Sequence, residues 1–217
     1  MFLTKQRVRS VGIRSVLGAF FITAVLLFSA NADADDLELR ASGKLQYKHF
    51  GGGVTKVAQE HRFNLKELKL NETFTDVGFQ YRLTGWLTTG ATYRMVFAED
   101  DGNWKIEHRP QADVIVTARR LFYLNIAWRA RVEYRIKDSD LRVRVRKKLK
   151  ITFKRLPTSP FLAAEVFLPY TGTPERTRAF VGMSPIDNLS TFYLLEADHD
   201  NGTEFKNIVG LSYKFSL

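Results

Sequence analysis

Arginine recurs at every second position in two neighbouring stretches of the chain. The first holds Arg129, Arg131 and Arg135 with Glu133 among them; the second holds Arg142, Arg144 and Arg146, followed by Lys148 and Lys150. Side chains two residues apart share one face of an extended strand, so this spacing gathers guanidinium and ammonium groups into a charged wall. Glu107, His108, Arg109, Glu165 and Arg178 complete the candidate set. The chemistry open to such a wall is electrostatic: it attracts anions and pairs with carboxylates.

Catalytic alternatives find little support. Zero cysteines in 217 residues exclude a thiolate zinc site, a cysteine nucleophile and a disulfide scaffold. His49, His61, His108 and His199 are scattered, none stands in a His-x-Ser pattern, and Ser184 and Ser190 have no histidine close by in sequence. Only His108, beside Arg109, invites a test. Gly51-Gly52-Gly53 lacks the strand–loop–helix setting of a phosphate loop and reads as a flexible connection. The Asp198–Glu204 stretch lacks the full oxygen spacing of a calcium loop, and its Asn201-Gly202 pair is an ordinary hairpin turn. No catalytic residue, cofactor or metal is expected.

The elements that position the charges are strands. From Phe122 to Ile136 every even position is apolar, including Ile126, Trp128, Val132 and Tyr134. From Leu141 to Lys154 the parity reverses, with Leu141, Val143, Val145, Leu149, Ile151 and Phe153 opposite the basic residues. A helix advancing about 100° per residue would smear this pattern around its circumference. Lys137-Asp138-Ser139-Asp140 makes the turn between the two strands. Weaker alternation runs through the rest of the chain to Val209, Leu211, Tyr213, Phe215 and Leu217, giving an all-β, antiparallel reading.

The first 34 residues read as an export signal. Lys5, Arg7, Arg9 and Arg14 precede a mostly apolar run from Val16 to Ser29, and Ala32-Asp33-Ala34 has the form of a cleavage site. Cleavage after Ala34 is expected, with cleavage after Ala32 or an uncleaved anchor as alternatives. Residues 35–217 then carry 29 basic and 22 acidic side chains, so the exported part stays cationic.

An alternating sheet hides its apolar face inside a soluble, lipocalin-like periplasmic barrel or turns it outward against lipid. Segments of roughly 10–14 residues suit strands that cross a bilayer at a tilt. Short turns such as Thr84-Gly85-Trp86, Arg119-Arg120 and Ser184–Asn188 alternate with longer polar loops at Glu99–Asn103, Pro169–Pro174 and Asp198–Thr203. The last strand, apolar and aromatic to its end, resembles the insertion signal of outer-membrane barrels. Lys147 speaks for the soluble form: facing lipid at mid-strand it costs roughly 2–4 kcal/mol, unless Lys147-Lys148 marks a bulge. The soluble form places Trp128, Tyr134 and Phe215 in a dry centre.

Glu107-His108-Arg109-Pro110-Gln111, the Trp128–Arg135 strand, the ladder at 142–150, Pro160-Phe161 with Glu165-Val166-Phe167, and Arg178-Ala179-Phe180-Val181-Gly182 come in an order similar to that of a bacterial outer-membrane β-barrel family catalogued only as a domain of unknown function. The resemblance covers about residues 60–217 and implies fold and location; the family has no established activity to carry over. The final Leu217 departs from the aromatic end usual in such barrels, which bears on insertion efficiency.

Eleven segments alternate, among them 37–48, 58–70 and 76–85. Single-chain bacterial barrels have even strand numbers, so the expectation is an up-and-down transmembrane β-barrel of twelve strands, by a break in the first segment near Ser42-Gly43, or alternatively ten. A phase slip between Phe63/Leu65 and Leu68/Leu70 places a bulge near Glu67. On the inferred phases sixteen cations face six anions in the bore, namely Glu107, Asp113, Glu133, Glu165, Glu196 and Asp198. Ten to twelve strands give a backbone radius on the order of 10–12 Å, from which arginines reaching roughly 6 Å inward leave a bore of a few ångström. The reading is a porin-like outer-membrane barrel, structural or a narrow anion-preferring pore. Its expected partners are outer-membrane lipids, the barrel-assembly machinery and small anionic solutes; nucleic acid is too large to enter. The alternatives are a lipid-modifying outer-membrane enzyme, betrayed by a serine–histidine hydrogen bond, and the periplasmic binder.

Overall fold

The structure is a computed structural model that describes residues 37–216 apart from positions 101, 122, 139, 157, 171, 187, 200 and 201. The predicted signal peptide lies outside the described residues. Among them the chain forms β1 (Leu37–Lys48), β2 (Gly53–Asn64), β3 (Lys69–Arg82), β4 (Leu87–Asp100), β5 (Asn103–Leu121), β6 (Leu124–Lys137), β7 (Asp140–Phe153), β8 (Phe161–Pro169), β9 (Arg176–Ile186), β10 (Leu189–Asp198) and β11 (Glu204–Ser216). Each strand pairs antiparallel with the next, and β1 closes the barrel against β11.

That closure corrects the strand count. The barrel has eleven strands, neither twelve nor ten. β1 runs through Ser42-Gly43 without a break and pairs with β11 in parallel, from Leu37↔Asn207 to Gln46↔Ser216. An odd count requires one parallel pair, because the first and last strands then run the same way. The first rim, where β1 begins, thus lies opposite the second rim, where β11 ends.

The early strands also differ from expectation. The segment predicted over 58–70 is the end of β2, a turn over residues 65–68, and the start of β3. Leu68 takes a left-handed φ of 51° there, so the phase slip is a turn rather than a bulge at Glu67. The true irregularity sits one pairing earlier, where Arg62↔Glu72 is followed by Phe63↔Leu70 and leaves Asn71 over. The connection at 49–52 uses Gly51 and Gly52 at φ 80° and 93°, values that suit glycine. Loop asymmetry is absent: connections run from two to six residues at the first rim and from two to seven at the second. β5 absorbs Arg119-Arg120, and Glu99–Asn103 is a tight hairpin rather than a long loop.

The two faces are as the alternation requires. Trp128, Tyr134 and Phe215 point outward, 40, 46 and 55% exposed, while Arg131, Glu133, Arg144 and Arg146 are buried within. Lys147 faces outward and exposed, and the β6·β7 register passes it without a shift, so no bulge forms at Lys147-Lys148. Inside, Gly182 lies beneath the Phe161 ring; a Cβ there would come within 2.4 Å of that ring and 2.7 Å of the Thr191 carbonyl oxygen. Because the carbonyl belongs to backbone, Gly182→Ala is expected to lower the unfolding free energy by about 1–3 kcal/mol in urea titrations.

Candidate functional site

The inward positions assemble a closed circuit of seven arginines and seven glutamates. Two-residue spacing within a strand supplies its simplest links: Glu38 to Arg40 on β1, and Glu107 to Arg109 on β5 at 2.6 Å. Register supplies the rest. Arg62 on β2 bridges Glu38 and Glu72, and Arg109 reaches back across β4 to Glu72 at 3.9 Å. In the other direction Arg40 spans β11 to meet Glu196 at 3.7 Å, and Glu196 accepts from Arg178.

The far arc is the most buried. Glu165 on β8 links Arg178 at 3.9 Å to Arg146 at 2.9 Å. Glu133 on β6 accepts from Arg146 at 2.6 Å through one oxygen and from Arg144 at 2.8 Å through the other. Arg144 then donates to Glu175 in the β8–β9 connection at 2.7 Å; Glu175 lies 3.8 Å from Arg135, and Arg135 donates to Glu107 at 2.6 Å. The guanidiniums of Arg144, Arg146 and Arg178 surround the Phe167 ring at 4.5–4.8 Å, which fixes their planes. Glu133 and Glu165 are 0 and 1% exposed. Carboxylates so buried are tolerable only because each accepts from at least two cations.

Three aspartates form spurs. Asp76 takes Arg94 bidentately at 2.6 and 2.7 Å, Asp113 takes Arg131 likewise at 2.7 and 2.9 Å, and Asp198 bonds Arg176. Arg129 donates to Glu165 at 3.2 Å and stands 4.0 Å from Asp113.

Of the twelve residues predicted to share a lumen network, Glu107, Arg109, Glu133, Arg135, Arg144, Arg146, Glu165 and Arg178 lie in the circuit, with Arg129 and Arg131 attached to it. Arg142 does not belong. It stands exposed at the first rim, paired with Asp140. His108 does not either: neighbours along a strand face opposite ways, so it turns outward from Glu107 and Arg109, and its ring meets the Tyr93 hydroxyl. Sequence reasoning missed Glu38, Arg40, Arg62, Glu72 and Glu175, whose strands and connection had no assigned phase. The repeated Glu-x-Arg of Glu38-Leu39-Arg40, Glu60-His61-Arg62 and Glu107-His108-Arg109 was the available signal.

The early strands and the β8–β9 connection add to both sides of the charge count, with Arg40, Lys44, Lys56 and Arg62 joining the cations. Glu38, Glu60, Glu72, Asp76, Asp100 and Glu175 join the acidic side, and each has a cationic partner. Most of the inward cations without a carboxylate partner among the described residues are lysines. Lys44, Lys56, Lys150 and Lys214 have no carboxylate within salt-bridge reach among the described residues; Lys56 donates to Gln80, and Lys150 lies 3.8 Å over the Phe161 ring. A cavity of about 690 Å³ runs through the charged interior, bordered by circuit members and by Lys148, Lys150, Ser190 and Ser212. The histidines hydrogen-bond to threonine or tyrosine, and Ser184 bonds to Ser190.

The sequence family described as "Protein of unknown function (DUF2490)" matches residues 39–186, from β1 to the end of β9. No curated protein matches the chain.

Proposed function

We propose, for a chain that belongs to the DUF2490 family of proteins of unknown function, that it is exported, inserts in the bacterial outer membrane and acts as a narrow pore that prefers anions, with no catalytic step. The observation that carries the reading is the inverted sheet. Leu45, Val57, Phe79, Tyr93, Ile106, Val114, Trp128, Leu149, Leu162, Val181, Leu195 and Leu211 stand exposed on the outer face, while nearly all charge is turned inward. A water-soluble barrel would expose a hydrophobic surface far beyond the few hundred Å² that monomers usually tolerate. Aromatic residues gather toward both rims, with Tyr47, Tyr81 and Tyr213 at the second and Trp104, Tyr134 and Phe205 at the first, as in the interfacial girdles of membrane barrels.

Anion preference follows from the charge that remains after pairing. The arginines of the circuit are paired with carboxylates, and the lysines without such a partner raise the local concentration of anions in a low-dielectric channel. A structural role without conduction is the second reading, favoured by the closed circuit, which stiffens the wall it crosses.

Planar-bilayer recording of the purified protein in a potassium chloride gradient is expected to give small unitary currents with a reversal potential on the chloride side. Absence of current, or cation selectivity, overturns the pore. Recovery of the protein in the soluble periplasmic fraction overturns the membrane assignment as well.

A further inference from the structure

The arginine–glutamate circuit and a group of lysines without carboxylate partners among the described residues lie toward opposite ends of the lumen. The circuit occupies the half nearer the first rim, whereas Lys44, Lys56, Lys150 and Lys214 all stand within four residues of the second-rim ends of β1, β2, β7 and β11. We propose that these four lysines form a binding site for small polyanions of the phosphate class. The proposal rests on the reading of the bore as an anion path and adds to it a position, a ligand chemistry and a set of residues.

Three observations carry it. First, the lysines converge: Lys44 pairs in register with Lys214, Lys56 pairs with Gln46 at the next inward position of β1, so three of the four stand on the adjacent strands β2, β1 and β11, and Lys150 lines the cavity from β7. Second, Lys44 and Lys214 are direct register partners on the closing pair of strands. Like charges set opposite each other destabilise a sheet, and among the described residues no carboxylate stands within salt-bridge reach of this pair, Asp76 acting on Lys44 only from farther off. A bound anion would remove that repulsion. Third, the site opens onto the cavity: Ser42 and Ser212, themselves register partners, line it and stand one inward position before Lys44 and Lys214.

The residue type selects the ligand. Arginine offers a planar fork that locks a carboxylate, as it does throughout the circuit. Lysine is a compact, rotatable point charge, suited to an anion of high charge density, and it holds that anion loosely enough to release it. Several ammonium groups around one volume favour two or more negative charges over one.

The test is calorimetric titration of the purified full-length protein in detergent with inorganic pyrophosphate at low salt. Wild type is expected to bind, and the variant Lys44→Gln/Lys150→Gln/Lys214→Gln to bind at least about tenfold more weakly. Lys147→Gln, which removes an outward charge, should bind as wild type does. Should the triple variant fail to fold, pyrophosphate protection of Lys44 and Lys214 from acylation, read by mass spectrometry on wild type, decides. Absence of binding by wild type, an equal loss in Lys147→Gln, or unprotected lysines overturns the site. Bilayer current on the same preparation separates this from the pore reading: binding without current ends the pore and leaves the site, while anion-selective current without binding ends the site and leaves the pore.

Discussion

Glu133→Gln is expected to cost the barrel about 3–5 kcal/mol of unfolding free energy, the penalty for leaving buried charge without its partner. Glu133 is fully buried, accepts from Arg144 and Arg146, and lies 3.9 Å from Arg131. The amide keeps the shape but removes the charge, so the guanidiniums of Arg144 and Arg146 over Phe167 retain only Glu175 and Glu165 respectively. Urea unfolding in phospholipid vesicles, followed by tryptophan fluorescence, measures the change. Asp140→Asn is the control, since its pair with Arg142 is largely exposed at the first rim and is worth at most about 1 kcal/mol. Equal effects in the two variants would show that the circuit adds no more than a surface ion pair.

The second large effect concerns the outer face. Val181 lies at the centre of β9, 39% exposed, between Leu162 and Tyr193 on the flanking strands. If that face meets acyl chains, Val181→Arg should destabilise the inserted barrel by roughly 2–4 kcal/mol, and Lys147→Leu should stabilise it by a similar amount. In water neither effect is expected: arginine at an exposed position is nearly neutral, and leucine in place of Lys147 only enlarges a sticky patch. The pair of variants, measured in vesicles, therefore reports the environment of the face. Insensitivity to both would contradict a lipid-facing surface.

Much of the fold was readable because strict alternation carries its own phase. From β6 onward one parity is mostly apolar along each strand, Lys147 being the charged exception, and the faces follow from it. The early strands were obscured by Leu65 and Leu68, apolar residues in a turn that continue the look of a strand; Leu68 is in fact exposed with a left-handed backbone. The parallel seam had no local signature, because which end strands meet is a property of the closed sheet rather than of any segment. The circuit was half legible for the same reason. Links such as Glu107 to Arg109 lie within a strand, whereas Arg109 to Glu72 and Arg40 to Glu196 skip a strand and exist only once register is fixed. Pro110 leaves its own mark: the β5·β6 ladder omits Arg109 and Pro110 while keeping register from His108↔Ile136 to Gln111↔Glu133, as a residue lacking an N–H requires.

The odd strand number has a topological consequence for engineering. In an even barrel the two chain ends meet at one rim, and a short peptide can splice them to allow circular permutation. Here Leu37 and Ser216 sit on opposite rims, separated by roughly 25 Å of tilted sheet. A splice would have to thread the arginine-lined interior or run over the outer surface, so new termini opened at any hairpin would come with a strand's worth of unpaired chain. Epitopes grafted beside Leu37 and beside Ser216 would, for the same reason, report opposite sides of any sheet-spanning barrier.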